Sequence, residues 1–333
     1  MRAAVTTESG GFEVVHLPDP YPGPDQLIIA VEGCGVCGSD LKAQPFMQPG
    51  TVMGHEFGGT VVAVGRDATA SGWCEGTSVA VLPVVSCGSC SWCDSGDVAH
   101  CGSTRFIGMG PDAGGFAELA AVPAVHAFPL PDDMPVLHAS LVEPFAVGLH
   151  AITTAELRPG EDVLVIGAGG VGLTTIAWAR ALDAGHVTVV DPDPIRRRAA
   201  QAIGANDVRA SVDDVEPRSQ NVVVECVGRA ELIAAAATVA RARGRVVISG
   251  ACDQPVNVEP IAALLNELSF RWSVAYRPDE FRRVIDAFRT GRIDPAAAVG
   301  VILELEQVAQ AFDLVRAANT EGRVLVRPVR GDG

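Results

Sequence analysis

The chain has 333 residues, enough for two ordinary domains, and 48% of them are hydrophobic while 20% are charged, as in a globular protein with a sizeable core. Its 25 basic and 40 acidic residues give a net charge of −15, which argues against general binding to nucleic acid or to an anionic membrane. No continuous apolar run reaches the length of a membrane span and the start shows no secretion signal, so we expect a cytoplasmic protein.

The first part of the chain, up to about residue 145, predicts a β-rich domain. It is rich in Gly, Pro and Val, and it contains short strand-like runs at residues 26–31 and 59–64. Most of the cysteines that could take part in chemistry also lie in this part of the chain.

Four cysteines stand close together in this domain with the spacing C-x2-C-x2-C-x7-C: Cys87, Cys90, Cys93 and Cys101. Thiolates this close can surround one metal ion tetrahedrally, and an odd total of nine cysteines argues against a disulfide framework. A nucleic-acid zinc ribbon is opposed by the acidic charge. An iron–sulfur run has a shorter last spacing followed by Pro, whereas Gly102 follows here. We therefore predict a structural zinc site.

Beyond about residue 150 the pattern changes to alternating strands and helices, which is typical of a doubly wound parallel sheet. Predicted strands cover residues 162–166, 187–190, 221–225 and 245–249. Predicted helices between them cover residues 171–182, 195–203 and 231–242.

The first of these strands leads into a glycine-rich turn that matches G-x-G-x-x-G and opens a helix. The first glycine allows the tight turn, the second lets a pyrophosphate approach the backbone, and the third allows close packing of helix on sheet. The helix N-terminus offers free N–H groups to phosphates. We predict that this turn binds a dinucleotide through Gly167, Gly169, Gly170, Val171 and Gly172.

Asp191 follows the next strand, where a carboxylate would bond the adenosine ribose hydroxyls. A carboxylate there repels a 2′-phosphate, so NAD is favoured over NADP. Arg196 and Arg197 lie nearby in the sequence and weaken that preference. After about residue 290, a strand, a helix and a last strand at residues 323–326 do not extend the sheet pattern, and we expect them to fold back onto the first domain.

Three further segments complete a pattern of motifs: Gly33-Cys-Gly-Val-Cys37-Gly-Ser39-Asp40, Gly54-His55-Glu56, and Glu143-Pro144. With them the chain resembles, from end to end, the zinc-containing medium-chain dehydrogenases, the group of alcohol, sorbitol and threonine dehydrogenases. The resemblance implies an α/β fold with a GroES-like catalytic domain and a Rossmann coenzyme domain. It implies a catalytic domain at residues 1–147, an NAD-binding domain at 148–288, and a C-terminal segment at 289–333 that returns to the catalytic domain.

The resemblance also implies a catalytic zinc held by Cys37, His55 and Glu143, with one position left open for water or substrate. Glu56 would be a close further ligand that exchanges with the water. Asp40 would hold the other imidazole nitrogen of His55. A Glu as third ligand is similar to the sorbitol and threonine dehydrogenase branch, whereas the alcohol dehydrogenase branch usually has Cys.

The reaction implied is reversible oxidation of a secondary alcohol, polyol or amino alcohol to a carbonyl, with hydride transfer to NAD. Ser39 would be the first proton acceptor. The family often has His two residues after the Asp, but Lys42 stands here, and it could end the proton relay, meet an anionic substrate or lie at the surface. The interval from Cys37 to His55 is shorter than the resemblance leads us to expect, so we expect a trimmed loop around Phe46 and Met47, which borders the substrate cleft. The resemblance further implies a homodimer or homotetramer.

Two alternative functions remain open at this point. A zinc-independent enoyl or quinone reductase of the same family predicts that the catalytic metal ligands are missing. A non-catalytic nucleotide-binding sensor on the same fold predicts zinc only at the four cysteines and no turnover of any alcohol. The presence of Cys37, Ser39, His55 and Glu143 weighs against both.

Overall fold

A computed structural model of the chain describes residues 1–317 and 320–328. The chain divides into two compact units. Of the described residues, the β-rich unit comprises 1–143, 277–289, 299–317 and 320–328, and the parallel-sheet unit comprises 144–276 and 290–298. The domain boundaries expected from the sequence, after residues 147 and 288, stay predictions.

The β-rich unit is built on one seven-stranded sheet and two small ribbons. Its strands are β1 (Arg2–Thr6), β2 (Phe12–His16), β3 (Gln26–Gly35), β4 (Glu56–Val64), β5 (Ser78–Val81), β6 (Val84–Val85), β7 (Arg105–Phe106), β8 (Leu119–Pro123), β9 (Ala127–Pro129), β16 (Val299–Glu304) and β17 (Arg323–Arg327). The sheet has the order β16-β17-β3-β4-β5-β9, with β8 also paired to β3.

Strand β3 is the centre of this sheet. Its ten residues pair antiparallel with β4, β8 and β17, so a segment from near the end of the sequence lies against one from its beginning. The apolar side chains of β3 are mostly buried. The C-terminal segment also contacts the N-terminal part of the chain through Phe312, whose ring centroid lies 4.6 Å from that of Phe12. The C-terminal segment thus packs into the core of the β-rich unit.

The parallel-sheet unit contains a six-stranded sheet of β10 (Val163–Ile166), β11 (Val187–Val190), β12 (Asp207–Arg209), β13 (Gln220–Glu225), β14 (Ala240–Ile248) and β15 (Ser269–Trp272). All neighbours are parallel, in the order β12-β11-β10-β13-β14-β15. This is the 3-2-1-4-5-6 order of a doubly wound sheet, whose ligands bind where the order reverses, here between β10 and β13. The predicted α/β fold class is confirmed.

The helices are α1 (Gly38–Ala43), α2 (Arg66–Ala70), α3 (Ser91–Asp94), α4 (Ala139–Thr154), α5 (Gly170–Ala181), α6 (Pro194–Ala202), α7 (Ala230–Val239), α8 (Pro260–Leu265), α9 (Pro278–Arg289) and α10 (Val308–Ala317). The segment containing α4, Val136–Thr154, is long and apolar enough to cross a membrane by length and composition alone. Isolated polar residues such as Glu143 and His150 interrupt the apolar run, but the mean hydropathy of the segment stays high, at 1.3. Of its most apolar window 67% is buried inside the protein, as in a core helix.

Candidate metal centres and nucleotide site

The first candidate centre lies at the start of α1, where the end of β3 turns into the helix. Cys37 is the N-cap residue, and Asp40, three residues on, accepts a hydrogen bond of 2.9 Å from its backbone N–H. A carboxylate at this place satisfies a donor that the helix itself leaves unpaired. Asp40 is fully buried. One oxygen therefore fixes the helix start, and the other is available to a neighbouring side chain.

That neighbour is His55, the residue immediately before β4. Its Nδ1 lies 3.0 Å from Oδ1 of Asp40, and its Nε2 lies 3.3 Å from the hydroxyl of Ser39. Burial lowers the pKa of His55, but the charge and hydrogen bond of Asp40 outweigh this effect and hold the pKa well above its ordinary range. Asp40 thus orients the ring and directs Nε2 toward the side chains of α1.

Ligand atoms of Cys37, His55 and Glu56 all lie within 4.8 Å of one another. A thiolate, an imidazole nitrogen and a carboxylate are the donors that zinc takes in proteins, and a histidine oriented through its other nitrogen is the usual arrangement at such sites. The residues present therefore fit a metal ion. A catalytic zinc usually has three protein donors, whereas a structural zinc has four.

Glu143, the third ligand implied by the sequence, is not among these three in the described part of the chain. It is buried on α4, and its charge acts on Arg323. Its role as a ligand stays a prediction. Lys42 is exposed on α1, and its role in proton transfer or substrate binding stays a prediction as well.

Glu56 is buried and ion-paired through Oε2 to Nη2 of Arg323, the first residue of β17. Sequence reasoning missed Arg323. The signal that could have found it is a charged residue at the head of an otherwise apolar strand, Arg323-Val-Leu-Val, since a buried guanidinium requires an anionic partner.

The second candidate centre is the group of Cys87, Cys90, Cys93 and Cys101, here called the knuckle. Its four sulfur atoms also lie within 4.8 Å of one another. The Sγ atom of Cys93 lies 3.5 Å from that of Cys90 and 3.9 Å from that of Cys87. Zinc–sulfur bonds of about 2.3 Å place tetrahedral sulfurs about 3.8 Å apart, so this geometry fits zinc.

Hydrogen bonds favour the thiolate forms of Cys87 and Cys93, whereas at Cys90 a backbone hydrogen bond is outweighed by burial and by the neighbouring thiols, which raise its pKa to about 11. The backbone N–H groups of Cys87 and Ser103 each donate to Sγ of Cys101 at 3.4 Å. Hydrogen bonds from Ser89 lower the pKa of Cys87 to about 6. All nine cysteines are free thiols, which agrees with a metal site rather than disulfides.

The knuckle is tied to helix α9 by one arginine. Nη1 of Arg277 lies 2.6 Å from Oδ1 of Asp97, and Nη2 donates to the carbonyl of Ser95. Both of these partners stand in the loop between Cys93 and Cys101. The knuckle loop is therefore attached to a second part of the β-rich unit.

The glycine-rich turn lies in the parallel-sheet unit at the carboxyl end of β10, beside the point where the strand order reverses. Gly167 has φ +94°, which favours glycine, and a Cβ on Gly172 would lie 1.9 Å from the carbonyl oxygen of Gly167. At Gly169 a Cβ would meet no atom within 4 Å. The predicted binding of a pyrophosphate at this turn, beside Gly169 and the N-terminus of α5, stays a prediction. Gly170 and Val171 form the first residues of that helix.

Asp191 lies at the carboxyl end of β11 and is buried. Its two oxygens accept hydrogen bonds of 2.9 Å from the backbone N–H groups of Ala168 and Asp193. These bonds tie the carboxylate to the glycine-rich turn and leave lone pairs for ribose hydroxyls. Nη1 of Arg196 lies 3.8 Å from Oδ2 of Asp191, so part of the negative charge is offset. The nucleotide roles of both residues stay predictions.

Comparison with known proteins assigns the class. Residues 23–132 match the alcohol dehydrogenase GroES-like domain family, and residues 170–290 match the zinc-binding dehydrogenase family. The chain belongs to the zinc-containing medium-chain alcohol dehydrogenases, a family of oxidoreductases that act on CH–OH groups.

Individual relatives agree with this assignment over the whole chain. The sorbitol dehydrogenase of Bacillus subtilis is 30% identical, with 99% of this chain and 98% of that protein covered. A protein from Sinorhizobium meliloti described as a zinc-binding dehydrogenase and solved with NADP is 32% identical, with a TM-score of 0.90 over 98% of this chain and 99% of that one. Galactitol-1-phosphate dehydrogenase from Escherichia coli is 27% identical, with a TM-score of 0.89 over 98% and 100%.

Proposed function

We propose that this protein is a zinc-dependent dehydrogenase that reversibly oxidises a small polyol or secondary alcohol to a carbonyl compound with a nicotinamide cofactor. The observation that carries the proposal is the cluster of Cys37, His55 and Glu56, with His55 oriented by Asp40. This cluster weighs against a reductase that works without a catalytic metal, and against a sensor with zinc only in the knuckle.

Zinc bound by Cys37, His55 and either Glu143 or Glu56 would supply Lewis acidity, which lowers the pKa of a hydroxyl bound to it toward neutrality. The chain's own residues do the rest. Ser39, with its hydroxyl 3.3 Å from Nε2 of His55, accepts the alcohol proton and passes it outward. Asp40 keeps the His55 ring from turning, and burial of Asp40, His55 and Glu56 keeps water away from the cluster.

For the cofactor we propose NAD rather than NADP. A buried carboxylate at Asp191 attracts ribose hydroxyls and repels a 2′-phosphate. Nη1 of Arg196, 3.8 Å from Oδ2 of Asp191, weakens this repulsion but does not form a dedicated phosphate site. Because a similar protein was solved with NADP, the preference for NAD has to be measured.

The substrate class is proposed from the relatives. Proteins similar to this chain are named for sorbitol and galactitol-1-phosphate, which carry several neighbouring hydroxyl groups. A polyol or a related sugar alcohol is therefore the first substrate to test. A site with polar groups for these hydroxyls would reject analogues that lack them.

We further propose a cytoplasmic homo-oligomer. Clustered free thiols suit a reducing compartment. β15 is an edge strand of the six-stranded sheet, and the exposed side chains of Trp272 and Val274 lie at or just beyond its end. An open edge with apolar side chains favours pairing with a second copy, which supports a dimer or a tetramer built from dimers.

The test is formation of NADH from NAD⁺ with a panel of polyols, amino alcohols, hydroxy acids and apolar secondary alcohols, with NADP⁺ in parallel. We expect turnover of polyols with NAD⁺. Because proton transfer by a positioned group contributes about 10²–10⁴-fold, Ser39→Ala should lower kcat by at least about a hundredfold. Ser39→Thr, which keeps the hydroxyl, is the matched control and should retain most of the activity.

Two outcomes would contradict the proposal. Tight NAD⁺ binding without turnover of any alcohol, with metal only in the knuckle, would identify a sensor. Turnover that needs no metal at the Cys37 cluster would identify a reductase of the metal-independent kind.

A further inference from the structure

An open cavity lies in the parallel-sheet unit, where α5 and α6 end. Its volume is about 460 Å³, which is within the range of small-molecule sites. Its remaining wall is formed by residues within 292–297, which belong to the same unit. The glycine-rich turn lies at the opposite end of α5, whose 12 residues make a helix about 18 Å long. The cavity is therefore separate from the predicted dinucleotide site.

The base of this cavity is apolar. Ala177 on α5 and Ile293 line it and are only 7% and 6% exposed. Ala202 and Ala297 are exposed at its mouth, and their side chains are too small to close it. A buried apolar base below an open mouth favours a ligand with an apolar part.

Two exposed arginines also line the cavity. Nε and Nη2 of Arg292 donate to the carbonyl of Ala181, the Nε bond at 2.9 Å. Nη1 of Arg180 donates to the carbonyl of Ala184 at 3.4 Å and to Oδ1 of Asn206 at 3.3 Å. These bonds hold both guanidinium groups beside the end of α5. They use neither Nη1 of Arg292 nor Nε and Nη2 of Arg180, so each arginine keeps donors for a ligand.

The charge of the cavity lining is positive. Among the described residues, neither Arg180 nor Arg292 forms an ion pair with a carboxylate, although the chain has 40 acidic residues. Asp294 also lines the cavity, and its Oδ1 accepts a hydrogen bond of 2.9 Å from the N–H of Ala296. Two guanidinium groups and one carboxylate give the lining a net charge of +1, in a chain whose net charge is −15. One cation would be enough to cap the carbonyl end of α5, so capping does not account for the second arginine.

We propose that this cavity binds a small organic oxyanion, either a carboxylate or a phosphate ester. Its anionic group is held by Arg180 and Arg292, because a guanidinium group offers paired N–H donors that match carboxylate and phosphate oxygens. Its apolar part lies on Ala177 and Ile293. Binding at this site depends neither on the metal centres nor on the proposed dehydrogenase activity.

The probes are two pairs of anions: butyrate with acetate, and phenyl phosphate with inorganic phosphate. Each is titrated calorimetrically at low salt into the zinc-loaded full chain saturated with NADH, so that cofactor occupies the nucleotide site. Butyrate should bind about tenfold more tightly than acetate, because two additional CH₂ groups are buried on the apolar base. Phenyl phosphate should exceed inorganic phosphate for the same reason. The pair that binds more tightly identifies the anionic group as a carboxylate or a phosphate ester.

Ala202→Leu is the decisive variant, because it fills the mouth of the cavity without changing charge or removing a cap of α5. Ala202 is the exposed last residue of α6, so a larger side chain should be tolerated, and measurable binding of butyrate and phenyl phosphate should be lost. Arg180→Gln and Arg292→Gln should each weaken binding by about tenfold, as expected when a hydrogen bond to a charged group is lost. Arg241→Gln is the matched control, since it removes an exposed arginine of β14 in the same unit, and it should leave binding unchanged.

Three results would overturn the inference. The first is that none of the four probes binds, and the second is that Arg241→Gln weakens binding as much as Arg292→Gln does. The third is binding that Ala202→Leu leaves unchanged, since the probe would then occupy a metal centre or the nucleotide site. Melting temperatures measured without probe show which variants fold. If the variants of Arg180 and Arg292 do not fold, Ala202→Leu decides alone.

Discussion

The two candidate metal centres of the β-rich unit are assembled in opposite ways. The knuckle takes all four thiols from one short segment, and Cys87, Cys90 and Cys93 are exposed or half-buried. The Cys37 cluster takes its groups from the turn after β3 and from the start of β4, and Glu56 is paired with Arg323 at the head of β17, 267 positions away. A local centre is visible in sequence spacing, whereas a dispersed centre exists only after the strands have paired.

The two centres also differ in what holds them without metal. In the Cys37 cluster, Asp40 fixes both the backbone of Cys37 and the ring of His55, so the groups are preorganised. In the knuckle, the thiols mainly meet one another and backbone N–H groups. We therefore expect metal to provide chemistry in the first centre and folding energy in the second.

The largest effect should follow from Cys37→Ser. On the proposed function, removing this thiolate takes a ligand from the catalytic metal, whose Lewis acidity is worth several kcal/mol, so kcat/KM should fall by about a thousandfold or more. The melting temperature should change little. Steady-state assay and metal analysis check this, with Cys74→Ser, at an exposed thiol of the same unit, as the control that keeps full activity. Equal losses in both variants would show that Cys37 has no special role.

Loss of a ligand from the knuckle should instead lower the stability and leave turnover nearly unchanged. Cys90→Ser removes one structural ligand and loosens the loop that Arg277 attaches to α9, so the melting temperature should fall by roughly 5–10 °C. Turnover per folded molecule should stay within about twofold of wild type, because the loss lies outside the site of chemistry. Calorimetry and activity at a temperature below both transitions separate the two quantities. Loss of turnover without loss of stability would contradict the expectation that metal in the knuckle provides folding energy rather than chemistry.

A smaller effect should come from Asp40→Asn, which keeps the size of the side chain but removes its charge. Metal affinity or activity should fall by about 10–100-fold, as is usual when the partner of a ligating histidine is lost. The direction of the pH dependence of stability also follows from this pairing. Because Asp40 raises the pKa of His55, their pairing stabilises the metal-free protein at low pH and this contribution disappears as the pH rises through the raised pKa.

Metal must displace that proton, so zinc affinity in the wild-type protein should begin to weaken at a higher pH than in Asp40→Asn as the solution is acidified. Competition with a zinc chelator across a pH series measures both the affinity and the shift. An unchanged pH dependence in the variant would mean that Asp40 does not control the ring of His55.

The features that could be predicted from the sequence are the local ones, and those that could not are dispersed along the chain. The buried parallel strands, such as Val163–Ile166, are continuous apolar runs and lie where they were predicted. The knuckle cysteines were recognisable from spacing alone, and the glycine-rich turn from its place between a strand and a helix. These features depend on residues close together in the chain, so a local pattern is sufficient.

The partner of Glu56 could not be predicted in this way. It depends on β17 pairing with β3 in a register that brings Leu325 opposite Gly35, and nothing local to either strand specifies that pairing. Likewise, Gly35 lies next to Cys34 in a recognisable motif. The carboxylate of Glu56, which occupies the space that a side chain at Gly35 would fill, comes from another strand. Long-range pairing, rather than composition, creates this part of the site.

The pairing of β17 with β3 also has a consequence for how the protein is made. A ribosome synthesises β3 and the Cys37 cluster long before Arg323, so Glu56 has no buried counter-charge until β17 pairs with β3. Contacts this distant in sequence form late and slowly. The buried pair of Glu56 and Arg323 therefore makes completion of this part of the β-rich unit depend on a strand that is among the last to be synthesised.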